Sequence, residues 1–258
     1  MTDFTNYTDA NLSALKASSK AAEIILKKQA ILDGVYDYYN FIPGTVLFCG
    51  FNPAIISSNV KQEIFVTEIS DAARAYLDEK KVKYTYIQLA AIEKSYDVVV
   101  AADEYFTYAT NSQTQIDKVS KICSLAKEFV ISTLRDYKNQ DFKDREFSTP
   151  AVIRNGADSL VFNEFHNWTT TSRTQWESKV YEINNATDSL TVYGSFKRHT
   201  MYFKQLAKFS MDAGADDFIV HKNLMYKSPI KKNYEHVVSI KFDETYDRFN
   251  TNRTDRRD

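Results

Sequence analysis

The chain has 258 residues, enough to bury a large core, with 33 Lys and Arg against 34 Asp and Glu for a formal charge of −1. Acidic and basic residues are interspersed, which excludes the broad basic field of a duplex-binding protein and leaves any nucleic-acid role local. The only two cysteines, Cys49 and Cys123, stand far apart, which excludes a disulfide framework and the usual four-ligand zinc patterns, so they read as buried reduced thiols. The first residues lack a basic start and an apolar run, and no later segment approaches the ~20 apolar residues of a membrane span; the expected location is cytoplasmic.

In chain order, Leu12, Leu15, Ile24, Ile25, Ala30, Ile31 and Val35 recur near helical spacing, predicting one or two helices over residues 9–39, with Thr8 or Asp9 as N-cap. Pro43 and Gly44 end them. Short apolar runs then alternate with helical patterns, the mark of a parallel sheet covered on both faces. TVLFC (45–49), IFVTE (64–68), KYTYIQ (83–88), YDVVVAA (96–102) and EFVISTL (128–134) are the strands. The helices between them are a short one in PAIISSNVKQ (53–62), SDAARAYLDEKK (70–81) with Ser70 or Asp71 as cap, and residues 112–126.

After Asp136 the chain turns polar and then alternates at strand period, predicting small antiparallel strands at SLVFNEF (159–165), SKVYEIN (178–184) and LTVYGSF (190–196). Such a ribbon needs a second layer, so residues 141–196 are expected to cover the carboxyl ends of the parallel strands or to form a partner surface. Helical spacing returns over 197–213, Gly214 caps it, and DDFIVHKNLMY (216–226) and YEHVVSIKF (234–242) close the chain as a hairpin. The tail from 243 on is expected to be mobile unless a partner holds it. These elements divide one domain into N-terminal helices (1–43), a first half (44–140), a β-rich insertion (141–196) and a closing segment (197–258).

The run VLFCGFNPA (46–54), with an acidic residue, Glu68, ending the next strand, resembles the first two cofactor motifs of the class I S-adenosylmethionine-dependent methyltransferases. The order of elements over residues 45–242 resembles that family as well. The implied fold is α/β: a Rossmann-like, mostly parallel sheet with helices on both faces, a C-terminal β-hairpin and an antiparallel β insertion. The first strand is expected centrally beside the fourth, with the second and third on one side and the fifth and the hairpin on the other.

The same resemblance implies a cofactor site for S-adenosylmethionine lined by Gly50, Phe51, Asn52, Glu68, Ile69 and Gln88. Glu68 would accept hydrogen bonds from ribose hydroxyls, Ile69 would pack on the adenine, and Gln88 stands near the family's adenine-contacting acid. Gly50 keeps the motif's first glycine, while Phe48 replaces its acid and Asn52 and Ala54 replace the later glycines. Asp103 and Glu104, after the fourth strand, are the candidate catalytic residues, with Tyr105, Phe106 and Tyr108 as walls; the alternative is a helix-capping acid beside core aromatics.

Trp168, Arg173, Trp176, Arg198 and Tyr202 are a possible stacking surface for a small-molecule or nucleobase acceptor, or the packing face of the insertion. His221 and His236 face each other if the hairpin pairs them, and no metal is expected from their spacing. Lys227, Lys231 and Lys232 form a local basic turn. Protein partners are expected through residues 141–196 or the tail, and no membrane.

The functional reading is a methyltransferase-like protein with unknown acceptor. Its rival is a methyltransferase-like structural or assembly protein without chemistry, suggested by the altered motifs and by a Gly- and Pro-poor, Tyr-, Phe- and Asn-rich composition habitual in viral genomes, in which case the location is the host cytoplasm. A nicotinamide-dependent Rossmann enzyme shares Glu68 but lacks the glycines that cradle a pyrophosphate.

Overall fold

The computed structural model describes residues 3–57, 62–136, 145–147, 150–155, 158–169, 172, 174–230 and 235–242. Two helices, α1 (Asp3–Ala17) and α2 (Ala21–Tyr39), precede the first strand. The parallel half runs β1 (Thr45–Cys49), α3 (Ala54–Ser57), β2 (Glu63–Thr67), α4 (Asp71–Glu79), β3 (Thr85–Tyr86), β4 (Tyr96–Ala101), α5 (Ser112–Ser124) and β5 (Ala126–Leu134). The insertion supplies β6 (Arg145–Phe147), β7 (Ala151–Asn155), β8 (Asp158–Trp168), β9 (Gln175–Asn184) and β10 (Ser189–His199). Helix α6 (Phe203–Asp212) then leads to β11 (Asp217–Tyr226) and β12 (Glu235–Lys241).

Seven strands form one sheet in the order β11-β12-β5-β4-β1-β2-β3. The first five strands are parallel, and β12 runs antiparallel between β5 and β11. The spatial order expected from the sequence therefore holds, with the last strand rather than the first of the hairpin next to β5. Strands covered on both faces need apolar residues at every position. In β1, Val46 and Phe48 face one cluster, which α2, α3 and α4 cover, while Leu47 and Cys49 face the other, which α5 and α6 cover. Val98 and Val100 of β4 follow the first pair and Val99 the second.

Local signals set several boundaries. Ser70 caps α4 by accepting from the Ala73 N–H at 3.0 Å, and it also donates to Asp9 of α1. Ser70→Ala should therefore cost about 1 kcal/mol of stability, read as a lower urea midpoint at unchanged slope. An unchanged midpoint would show that neither hydrogen bond of the buried Ser70 hydroxyl contributes to stability. Helix α1 begins at Asp3, six residues before the sequence pattern placed it, so Thr8 and Asp9 are not caps. Thr8 instead donates to the Thr5 carbonyl inside the helix. Strand β3 has only two residues, and α6 starts at Phe203 because residues 197–199 continue β10. His221 pairs with Val237 and His236 with Met225 across a bulge, so the two histidines do not face each other.

The insertion forms a five-stranded antiparallel sheet, β10-β9-β8-β6, with β7 also on β8. Its inner face packs on α1, and α1 packs on the carboxyl end of β1. Phe162, Val180 and Phe196 from the insertion, Phe4 and Tyr7 from α1, and Leu47 and Val99 from the parallel sheet belong to one buried cluster. The layers are thus parallel sheet, α1, insertion sheet. Ser13 of α1 donates to Glu182 of β9 at 2.6 Å, a polar link across the second contact. Among the described residues no helix is long and apolar enough to cross a membrane. The tail from 243, Arg173, Lys231 and Lys232 lie outside the described residues.

Candidate functional site

The chain leaves β1 through Gly50, whose φ of +83° is a left-handed conformation that glycine adopts without steric cost. Its N–H donates to the Thr67 carbonyl at 2.8 Å, tying the turn to the end of β2. Asn52 replaces a glycine with a capping side chain, which accepts from the Ala54 N–H at 2.9 Å as α3 begins. Phe48, at the family's acidic position, is a buried core residue.

Glu68 follows β2, one residue beyond the strand's end, with φ of +52°, a left-handed conformation that is uncommon for a residue with a side chain. The partly exposed carboxylate accepts from the Tyr105 hydroxyl at 2.5 Å, and Thr5 of α1 donates to the Glu68 carbonyl at 3.1 Å. Burial pushes the Tyr105 hydroxyl well above its usual range, and the Cys49 thiol and Glu68 carboxylate push it in the same direction, so it stays a proton donor to Glu68.

Two clefts open on either side of Glu68. One, of about 620 Å³, is bordered by Ile69, Tyr86, Gln88, Leu89 and Thr5. The other, of about 400 Å³, is bordered by Phe4, Leu89, Tyr105, Lys118 and Ile122. Lys118 is held there by the Tyr105 carbonyl at 3.0 Å, with its ammonium 3.7 Å from the Tyr105 ring centroid. The structure thus gathers Glu68, Ile69 and Gln88 around one opening.

The glycine turn lies apart from that opening. Gly50, Phe51 and Asn52 are buried, and a Cβ built on Gly50 would collide with the Phe4 ring and meet Thr8 at 3.1 Å. The Phe4 ring is itself fixed, edge-on to Tyr105 and Tyr108 at 4.8 and 5.0 Å between centroids. Phe4 and Thr5 were missed because polar neighbours hide them; the spacing of Phe4, Tyr7, Ala10 and Ala14, all buried, is the signal that would have extended the helix to them.

Asp103 and Glu104, both left-handed with φ of +57°, border neither cleft and are buried in a hydrogen-bonded network. Asp103 accepts from the Tyr226 hydroxyl at 2.7 Å. One oxygen of Glu104 takes both Arg135 at 3.0 Å and Arg198 at 3.2 Å, and Arg198 continues to Glu164 at 3.3 Å. The Arg198 guanidinium lies between Tyr108 and Trp176, 4.2 and 4.5 Å from their ring centroids, and His166 stacks on Trp176 at 4.6 Å. Of the aromatic and basic residues read as a stacking surface or a packing face, Trp176 and Arg198 are buried and also border a cleft of about 330 Å³, with Trp168 and Tyr202 packed against Trp176.

No family model and no curated protein matches the chain. Solved structures do. DesVI from Streptomyces venezuelae superposes with a TM-score of 0.64 at 9% identity, covering 86% of this chain and 92% of its own. The sugar N-methyltransferase KedS8 from Streptoalloteichus gives 0.62 at 9% identity, over 87% and 90%. The CcbJ methyltransferase from Streptomyces caelestis gives 0.59 at 13% identity, over 84% and 90%. The chain has the class I S-adenosylmethionine-dependent methyltransferase fold. Its sheet order, β11-β12-β5-β4-β1-β2-β3, is the feature of that fold described above.

Proposed function

We propose that the chain is an S-adenosylmethionine-dependent methyltransferase that holds the nucleoside half of the cofactor at Glu68. The observation that carries the proposal is a partly exposed carboxylate at the carboxyl end of β2, between two clefts and beside a wall formed by Ile69 and Leu89. A carboxylate there accepts from vicinal ribose hydroxyls, Ile69 and Leu89 offer apolar surface to a purine, and the Gln88 amide can satisfy its ring-edge polar groups. The residues present fit the nucleoside half. The methionine half would then fall toward the Gly50–Asn52 turn of the first motif, where Phe4 fills the space, so access there needs α1 to withdraw.

S-adenosylmethionine supplies a methyl group on a sulfonium that is displaced in line, so the protein contributes alignment and an acceptor site rather than an obligatory catalytic residue. KedS8 and CalS10, named as sugar and amino pentose methyltransferases, favour a small-molecule acceptor. Asp103 and Glu104, held by Tyr226 and by two arginines, contribute to this reading by fixing the loop after β4.

Calorimetry with S-adenosylmethionine and S-adenosylhomocysteine tests the proposal. Saturable binding is expected, and Glu68→Gln should weaken it by about 1.5–3 kcal/mol, roughly tenfold to hundredfold, through loss of charge-assisted hydrogen bonds. Lys222→Gln, at an exposed position of β11, should bind as wild type. A second reading, a methyltransferase-like structural protein without chemistry, is favoured by the burial of Gly50 under Phe4. It predicts no binding by the folded protein at millimolar cofactor, and that outcome would overturn the first reading.

A further inference from the structure

Among the described residues, the outer face of the insertion sheet carries an apolar patch that nothing covers. Strand register lines up Val152 of β7, Val161 of β8, Ile183 of β9 and Leu190 of β10 in one row across four strands. Asn163, Tyr181 and Val192 form the next row on the same face. Alternation puts the charged partners Glu164, His166 and Arg198 on the inner face, so the aliphatic side chains are the ones turned out. Leu190 is 62% exposed, Val192 52%, Val152 50% and Ile183 41%, values at which an isolated sheet face leaves a continuous apolar patch in water.

We infer that this face docks on the same face of a second copy of the chain. Three features select that occupant. A flat sheet face packs best against another sheet, about 10 Å away, and this face offers itself as the matching surface. The two rows carry no charge, so burying them strands none. Charges lie beyond them: Lys179 on one side, Asp188 in the exposed turn on the other. A two-fold axis along the Val152–Val161–Ile183–Leu190 row reverses strand direction, which brings each copy's Lys179 toward the other's turn carrying Asp188.

Three strands counted over some seven residues and β7 over its five, at about 4.8 Å between strands and 3.3 Å per residue, give each copy roughly 400 Å² of flat face, and more accessible surface once side chains are counted. The pair then reaches the order of 1,000 Å², the lower limit for a specific interface, so the dimer is a weak one. The outer face lies away from α1 and the Glu68 clefts, so the proposal does not rest on cofactor binding.

Sedimentation of the full chain between about 1 and 100 µM tests it. The mass should rise from 29.8 kDa toward twice that value. Ile183→Lys with Leu190→Lys should weaken association at least tenfold with an unchanged circular dichroism spectrum, while Leu26→Lys, at an exposed position of α2, should not. Should the double variant fail to fold, Leu190→Cys provides a second test. A short bis-maleimide should join its copies and fail to join those of Leu26→Cys, since Cys49 and Cys123 are buried. A wild type monomeric at the upper concentration overturns the inference, as does association that survives the double substitution. A monomer that floats with phosphatidylcholine vesicles overturns it too, by giving the face to a membrane.

Discussion

Arg198→Met is expected to cost about 3–5 kcal/mol of folding stability, the penalty of breaking a buried ion pair from one side. Arg198 is fully buried and joins two carboxylates, Glu104 from the loop after β4 and Glu164 from β8. Its Nε also donates to Thr107 at 3.1 Å. Methionine refills much of the volume between Tyr108 and Trp176 but takes the guanidinium away from both Glu104 and Glu164. Against a total stability of ~5–15 kcal/mol for a domain, that loss is large. Arg198→Lys should recover little of it, because a single ammonium cannot reach two carboxylates and stack between two rings as a planar guanidinium does. Urea unfolding of the three proteins checks this. A loss below about 1 kcal/mol for the methionine variant would mean that packing alone holds the insertion to the parallel sheet.

That ionic junction also marks how far the sequence could be read. The parallel half was legible because strands buried on both faces must be apolar throughout: TVLFC, IFVTE and YDVVVAA have no other simple reading, and Ser70 announces the helix after the second. The sheet order followed from the resemblance they carry. The insertion was legible as strands, because its period is two, but not in orientation. In β8 the alternation separates Glu164 and His166 from Val161 and Phe165, and a rule of apolar residues inward assigns these faces backwards at that end. The inward charges are tolerated because Arg198 meets them, and its position in β10, far along the chain, cannot be found by local pattern. For the same reason Glu104 resembled a site acid until its partners, Arg135 and Arg198, were in view.

Glu68 was legible as a cofactor candidate from its place at the end of β2, and the clefts beside it give that reading space. Gly50 was legible as a turn, while what lies above it was not. The glycine freedom that would let a cofactor approach the backbone instead lets Phe4 approach it, and α1 is pinned from behind by the insertion. The question of function therefore narrows to whether that contact is permanent.

Gly50→Ala and Phe4→Ala, alone and together, address that contact. Gly50→Ala should cost about 3–5 kcal/mol, part from placing a side chain at positive φ and part from overpacking against a ring that Tyr105 and Tyr108 prevent from moving. Phe4→Ala should cost a similar ~3–5 kcal/mol, through the cavity it leaves. Because the second change removes the atoms that the first one strikes, the double variant should be less destabilised than the sum by about 1–3 kcal/mol. Additive losses would place the whole cost of Gly50→Ala in the backbone. Phe4→Ala alone carries the functional consequence. If withdrawal of Phe4 is what admits the methionine half, wild type binds with its affinity reduced by the small fraction of open molecules, and the alanine variant removes that reduction. Its affinity for S-adenosylhomocysteine should then rise, by roughly tenfold for each ~1.4 kcal/mol by which the closed contact is favoured. An affinity unchanged from wild type, in a folded Phe4→Ala protein, would make the turn beneath Phe4 a structural joint and confine ligand binding to the Glu68 side.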